Sequence, residues 1–244
     1  MACRPTIGYV AAPNDDNPRS PIDRAFLTND SDRTELILVR HGQQDFPGPD
    51  AVIAEWRDPP LTELGERQAE AVGRVLAGVS IDAVYSSQLS RAHRTGEAVA
   101  AHHGLGVTVL TVLAEIHMFS ALGPGQRPID VMSEIELDGA RRRFARERRW
   151  DVYPHTESSI DFRRRIANGL EGILAAHPGG TVVVACHGGV INSYIAEFLG
   201  MDADMFFRPA HASIHRVLAR HERRVVSTLN ELGHLMSPED LLTY

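Results

Sequence analysis

The stretch TELILVRHGQQDFPG, Thr34–Gly48, carries the reading that decides the fold. It opens on the apolar run Leu36-Ile37-Leu38-Val39 and passes directly into Arg40-His41-Gly42. A short apolar run bounded by turn-forming residues reads as a buried strand. A strand without polar alternation is covered on both faces, as in a parallel sheet flanked by helices. The loop that follows is marked by Pro47, Gly48, Pro49, Pro59 and Pro60. A buried strand that ends by delivering a guanidinium and an imidazole to one spot poses the functional question.

Outward from this strand the pattern repeats. LTELGERQAEAVGRVLAG (61–78) reads as a helix with Thr62 as its N-cap and Leu64, Gln68, Ala71, Val72, Val75 and Leu76 at helical spacing. IDAVYSS (81–87) reads as a strand, QLSRAHRTGEAVAAHH (88–103) as a helix, and VTVLTV (107–112) as a third strand. Residues 114–157 break the rhythm, and 158–177 resume it as a helix. TVVVAC (181–186) is a fourth strand and GVINSYIAEFLG (189–200) a further helix. Two alternating runs around RHER in 212–230 predict an antiparallel edge hairpin.

Strand and helix in alternation predict an α/β fold. We expect a three-layer α/β/α sandwich with a mostly parallel central sheet, an antiparallel edge strand and an inserted cap at about 117–157. Residues 1–33 lack a period and read as a flexible or surface-draped extension. Residues 34–244 form the domain.

The 244 residues have a formal net charge of −7, so the surface as a whole is no nucleic-acid footprint. All 25 basic residues are Arg. Any anion clamp here is therefore built from planar guanidinium forks. The cysteines are Cys3 and Cys186, which argues against a disulfide framework. No apolar run approaches the roughly 20 residues that span a bilayer. A cytoplasmic protein is expected, with no membrane and no nucleic-acid partner. The sequence leaves the oligomeric state open, a homodimer included.

In parallel sheets ligands bind beyond the carboxyl ends of the strands. The first strand ends in Arg40 and His41. The second ends in Ser86-Ser87 and leads to Arg91 one helical turn on. The third is followed by Glu115, and the fourth ends in His187-Gly188-Gly189. Two Arg and two His around one point suit a dianionic phosphoryl group. An unprotonated imidazole can be a nucleophile, and a carboxylic acid can protonate a leaving oxygen. A metal site is disfavoured: CxxC pairs are missing, and flanking Arg would repel a cation.

These residues resemble the histidine phosphatase superfamily, in its phosphoglycerate-mutase-like branch. LVRHG (38–42) matches the family signature, LTELGERQA (61–69) its LTxxGxxQA pattern, SSQLSRAHRTGE (86–97) its SSxLxRAxxT block and ACHGGVI (186–191) its second His block. LAEI (113–116) sits where the family's acid sits, and LNELGHL (229–235) resembles its final strand. The resemblance implies His41 as nucleophile, Arg40, Arg91 and His187 as phosphoryl ligands, and Glu115 as general acid and base. It implies no metal and no cofactor. Glu134 and Glu136 are alternatives for the acid.

The chain departs from the family pattern after RHG, where Gln44 and Pro47 replace Thr and Asn, and after Glu115, where IHMFSALGPG replaces a Gly-x-Trp-Glu-Gly stretch. Gln44 and Gly188 are expected to contact substrate. The cap helix within IDVMSEIELDGARRRFARERRWDVY (129–153) leads with acids and trails with Arg, which suits its macrodipole. Its arginines read first as a solvated helix end. Arg142 and Arg143 are the candidates for holding a second anionic group on a small phosphorylated substrate. The function expected is hydrolysis of a phosphate monoester. A cofactor-dependent mutase is the alternative, and a non-catalytic phospho-ligand binder the second alternative.

Overall fold

The computed structural model describes residues 20–28, 30–48, 50–236 and 240–244. Among the described residues, six strands form one sheet: β1 (Thr34–Arg40), β2 (Ala83–Ser86), β3 (Val107–Val109), β4 (Thr181–Cys186), β5 (Ile214–Arg220) and β6 (Arg223–Glu231). Their order is β3-β2-β4-β1-β5-β6. The first four run parallel, β5 is antiparallel to β1, and β6 closes the hairpin on β5. This is the expected α/β fold, with an antiparallel pair at one edge.

Among the described residues, eight α-helices accompany the strands: α1 (Pro21–Phe26), α2 (Ile53–Arg57), α3 (Glu63–Leu76), α4 (Ser90–Ala100), α5 (Pro128–Val131), α6 (Glu134–Glu147), α7 (Ser159–Ala176) and α8 (Gly188–Phe198). The pleat of β1 sorts its side chains. Leu36 and Leu38 enter the core under α7 and α8, while Ile37 and Val39 enter the one under α3 and α4. Alternation is invisible in the sequence because both faces are dry. On α7, Phe162, Ile166, Leu170, Ile173 and Leu174 form the buried stripe that the spacing predicts. Each such side chain contributes about 1.5–3 kcal/mol on leaving water.

The caps follow the expected chemistry. Thr62 accepts from the Gly65 N–H at the start of α3, and Ser158 accepts from the Asp161 N–H at the start of α7. On α6, Ser133 and Glu136 form a reciprocal capping box.

Two sequence expectations change in detail. β3 stops at Val109, and Thr111–Leu113 is a 3₁₀ turn. Here the ladder has run out at the sheet edge, and turning the chain buries Leu113 against α7. Of the expected N-terminal extension, residues 1–19 and 29 lie outside the described ones. Pro21–Phe26 is helical, capped by Ser20 with Pro at its first turn, and Leu27 is buried. The stretch read as flexible or surface-draped therefore contains a short helix. Six residues are too few to display a helical period.

The cap lies between the 3₁₀ turn and α7. Its two arms are tied by backbone hydrogen bonds from Ala121 to the His155 carbonyl and from Glu157 to the His117 carbonyl. Ile53 and Ala54 donate to the carbonyls of Gln126 and Pro124, which joins the loop after β1 to the cap.

Candidate active site

β1 and β4 are adjacent, with Arg40 opposite Cys186, so the residues that follow both strands emerge side by side. His41 donates its N–H to the Cys186 carbonyl at 3.0 Å. The rings of His41 and His187 come to 5.1 Å between centroids. Sheet register alone therefore joins two His separated by more than half the chain.

The tautomer of His41 is fixed by its neighbour. Nδ1 lies 2.7 Å from the Gly42 carbonyl and must donate to it. Nε2 is left bare and accepts from Arg91 Nε at 3.3 Å. Arg91 sits in the first turn of α4, whose Thr95 accepts from the Gly42 N–H and donates to the Arg91 carbonyl. A Cβ at Gly42 would fall 2.3 Å from the Gly65 carbonyl oxygen. The RHG loop and α3 thus meet backbone to backbone, which only glycine permits. Gln68 accepts from the Gln43 N–H at 2.7 Å and fastens the same loop.

His187 is the N-cap of α8, and its Nε2 lies 2.7 Å from Ser87 Oγ. The Leu89 N–H already occupies a lone pair of that oxygen. Arg40 donates through Nη1 to the Pro209 carbonyl at 2.6 Å and through Nη2 to His211 Nε2 at 3.0 Å.

Glu115 reaches the start of α8. Its carboxylate accepts the Gly189 N–H at 3.0 Å and the Ile116 N–H at 3.0 Å. A Cβ at Gly189 would stand 2.3 Å from Glu115 Oε1, so the carboxylate needs a bare backbone there. Arg165 of α7 holds the loop that carries Glu115. It donates to the carbonyls of Val112, Ala114 and Glu115 and to both carboxylate oxygens of Glu157.

Burial and charge set the protonation states. Burial, and then the charges of Arg91, His187 and Arg40, hold His41 well below the usual histidine pKa. Burial and the charges of Arg91, Arg40 and Arg165 do the same to His187. Burial lowers Arg40 to about 10, against the opposing pull of Glu115. Both imidazoles are therefore neutral and both guanidiniums charged near neutral pH. Arg40 Nε, Arg91 Nη1 and His187 Nδ1 are buried with no hydrogen-bond partner. Buried polar atoms are normally satisfied. Arg91 Nη1 also stands 3.6 Å from Asp58 Oδ1, so Arg40 Nε and His187 Nδ1 are the unspent atoms, and with the unprotonated His41 Nε2 they form a receptor for anionic oxygens.

The structure brings together Arg40, His41, Arg91, Glu115 and His187. Gly188 is buried at the first position of α8, and its ideal Cβ position is 3.6 Å from Arg40 Nε. Gln44 is half-buried in the loop after β1, its backbone bridged to Leu61. Arg142 and Arg143 stand exposed on α6, paired with Asp138 and Glu147 of the same helix. Neither joins the cluster through a described hydrogen bond or ion pair. Glu136 is spent on the Ser133 capping box. Sequence reasoning missed Ser87, Arg165 and His211. The first stood inside a quoted motif without a role, and the others carry no local signal because their partners are distant in the chain.

Among the described residues no group of three or more His, Cys, Asp or Glu could hold a metal ion. An open cavity of about 750 Å³ lies at the opposite end of the sheet, at the β5–β6 turn. Three of its four arginines are engaged: Arg220 with Asp30 and Asp32, Arg224 with Glu171, and Arg223 with the Arg24 carbonyl. Shape favours that cavity, whereas unspent donors favour the strand ends.

The comparisons agree with the geometry. The Cronobacter sakazakii protein named "Probable phosphoglycerate mutase GpmB" is 29% identical over 211 residues, which cover 84% of this chain and 96% of the relative. A mycobacterial glucosyl-3-phosphoglycerate phosphatase superposes with a TM-score of 0.66 at 26% identity, covering 81% of this chain and 99% of its own. A phosphoserine phosphatase variant from Entamoeba histolytica, solved with phosphoserine, gives a TM-score of 0.65 at 25% identity and covers 83% and 99%. The family model of the histidine phosphatase superfamily (branch 1) matches residues 36–232, and this chain belongs to that superfamily.

Proposed function

We propose that this protein is a metal-independent phosphatase that hydrolyses a small phosphate monoester through a phosphohistidine on His41. The observation that carries the reading is the unprotonated Nε2 of His41 beside the guanidinium of Arg91, with unspent atoms on Arg40 and His187.

The steps follow from the geometry. Arg91 Nε turns from His41 Nε2 to the phosphoryl oxygens, and the freed Nε2 lone pair attacks phosphorus as the bond from phosphorus to the leaving oxygen breaks. Arg40 and Arg91 take the equatorial oxygens, whose charge is already formed in the ground state and spreads in the transition state. With Ser87 donating its hydroxyl hydrogen to His187 Nε2, Nδ1 carries the ring proton and donates to a phosphoryl oxygen. Glu115 enters this step as the carboxylic acid and gives its proton to the departing alkoxide; the carboxylate so formed accepts one from the water that attacks the phosphohistidine, which restores the acid. The P–N bond breaks, inorganic phosphate leaves, and His41 Nε2 is bare again. A group that is neutral before attack needs no proton removed, which is what burial among cations ensures here.

Phosphatase neighbours that are covered over nearly their whole length support hydrolysis. The mutase reading is favoured by the named relative. It shares the phosphohistidine and differs in returning the phosphoryl group to substrate instead of water. Purified protein given 3-phosphoglycerate with a 2,3-bisphosphoglycerate primer separates them. Free phosphate as the main product supports the phosphatase, and 2-phosphoglycerate without matching phosphate release overturns it.

A further inference from the structure

Arg40 lies behind the nucleophile, and two protein groups fix its far side, Pro209 O and His211 Nε2. An arginine only donates, so His211 Nε2 must be the acceptor, and the ring proton must sit on Nδ1. That Nδ1 lies 2.9 Å from Thr243 Oγ1. Thr243 Oγ1 also accepts Gln68 Nε2 at 2.8 Å, and its main-chain carbonyl accepts the His211 N–H at 2.9 Å. A second Gln68 contact, from Nε2 to the Leu241 carbonyl at 2.6 Å, pins the same segment. Residues 241–243 are thus laced both to α3 and to the loop that supports Arg40.

That loop is itself braced by a relay with one direction. The Asn230 N–H donates to His215 Nδ1, which places the proton of this ring on Nε2. Nε2 then donates to Ser213 Oγ, and Ser213 donates to the Ala210 carbonyl. Asn230 Oδ1 accepts the Ala210 N–H, and Asn192 Oδ1 accepts the N–H groups of Phe206 and Phe207. Little freedom is left to the backbone between Phe206 and Ser213.

We propose that Thr243 and His211 are positioning residues for the phosphate-binding Arg40, with the Thr243 hydroxyl holding His211 in the tautomer whose Nε2 receives the guanidinium. The inference rests on the phosphatase reading above. Burial, helped by the charges of Arg40 and Arg208, lowers His211 to about 3, which keeps the ring an acceptor across the working pH range. Neither residue touches the reacting atoms. Their contribution is to stop Arg40 from rotating out of the plane in which it meets a phosphoryl oxygen. None of the sequence blocks that carry the family resemblance contains His211 or Thr243.

The test compares Thr243→Val with Thr243→Ser in the whole chain. The readouts are the inhibition constant of orthovanadate, KM for p-nitrophenyl phosphate, and the melting temperature. Valine keeps the shape and loses the hydroxyl. We expect it to weaken vanadate and raise KM about tenfold, the size of one hydrogen bond to a charged group. Serine should stay within about twofold. Equal affinity in wild type and Thr243→Val overturns the inference, and so does equal weakening by Val and Ser. If Thr243→Val does not fold, His211→Gln and His211→Leu decide. Gln offers Arg40 an acceptor and should retain vanadate binding, Leu should lose it, and equal behaviour overturns the inference. A wild type that neither hydrolyses p-nitrophenyl phosphate nor binds vanadate refutes the phosphatase reading instead.

Discussion

At the scale of single residues, two atoms decide what the site can do. His41 Nε2 is bare because Nδ1 is committed to the Gly42 carbonyl, and burial among cations keeps the ring neutral. In the free enzyme the His41 imidazole should therefore remain unprotonated well below the ordinary histidine midpoint. An NMR titration of ring-labelled histidine checks this, and a His41 midpoint near the ordinary value contradicts it. Glu115 depends on a second glycine. Gly189→Ala puts a methyl group 2.3 Å from Oε1 and must displace the carboxylate. We expect kcat for alkyl phosphates to fall about a hundredfold with an unchanged fold, since general acid catalysis contributes on that order. Circular dichroism and steady-state kinetics together test it. Arg40, His41, Arg91 and His187 were legible because each stands at the end of an apolar strand run or in the first turn of the next helix. His211 and Arg165 were not. Their importance lies in contacts to residues far off in the chain, which no local spacing records.

At the scale of elements, the conserved-looking blocks resolve into joints. LTELGERQA is the helix that touches the RHG loop through Gly65 and holds it through Gln68. SSQLSRAHRT supplies Ser87 to His187, Arg91 to His41 and Thr95 to Gly42. Gly65→Ala would place a Cβ 2.1 Å from the Gln43 carbonyl oxygen. Backbone has to move, and overpacking of this kind costs about 1–3 kcal/mol. Chemical denaturation should report that loss together with reduced activity. Arg165 of α7, paired with Glu157, holds the loop that carries Glu115. Arg165→Met should reduce hydrolysis of an alkyl phosphate by about a hundredfold and that of p-nitrophenyl phosphate by less than about fivefold, because a good leaving group needs no proton. Equal loss on both substrates would show that the clamp serves stability alone. Strand and helix identities followed from period and capping. The end of β3 and the helical turn at 21–26 did not, since a tertiary contact and a six-residue length leave no period to read.

At the scale of the whole molecule, the site is a consequence of topology. Placing β4 beside β1 sets the two histidines next to each other, and the order β3-β2-β4-β1 brings Arg91 and Glu115 to the same edge. The fold carries a cost that pH exposes. His41, His187, His211 and His215 are buried, and each is held below its ordinary pKa chiefly by burial. Below about pH 6.5 the unfolded chain binds protons that the folded chain refuses, so stability falls as pH falls, by up to roughly 1.4 kcal/mol per pH unit for each ring. For His211 and His215 this continues to about 3. Melting temperatures recorded from neutral to acid pH should decline in this window, and less steeply in His215→Gln. Cap chemistry was the least legible part at this scale, because exposed arginines on a solvated helix look alike whether or not a substrate meets them. The central claim is that His41 carries the phosphoryl group. Its most direct measurement is rapid quench of the enzyme with a phosphate monoester into alkali, followed by peptide mass spectrometry. We predict one phosphoryl group on the peptide bearing His41, stable in alkali, lost in acid and missing from His41→Ala. Turnover with no phosphoryl group on His41, or undiminished hydrolysis by His41→Ala, would contradict the account.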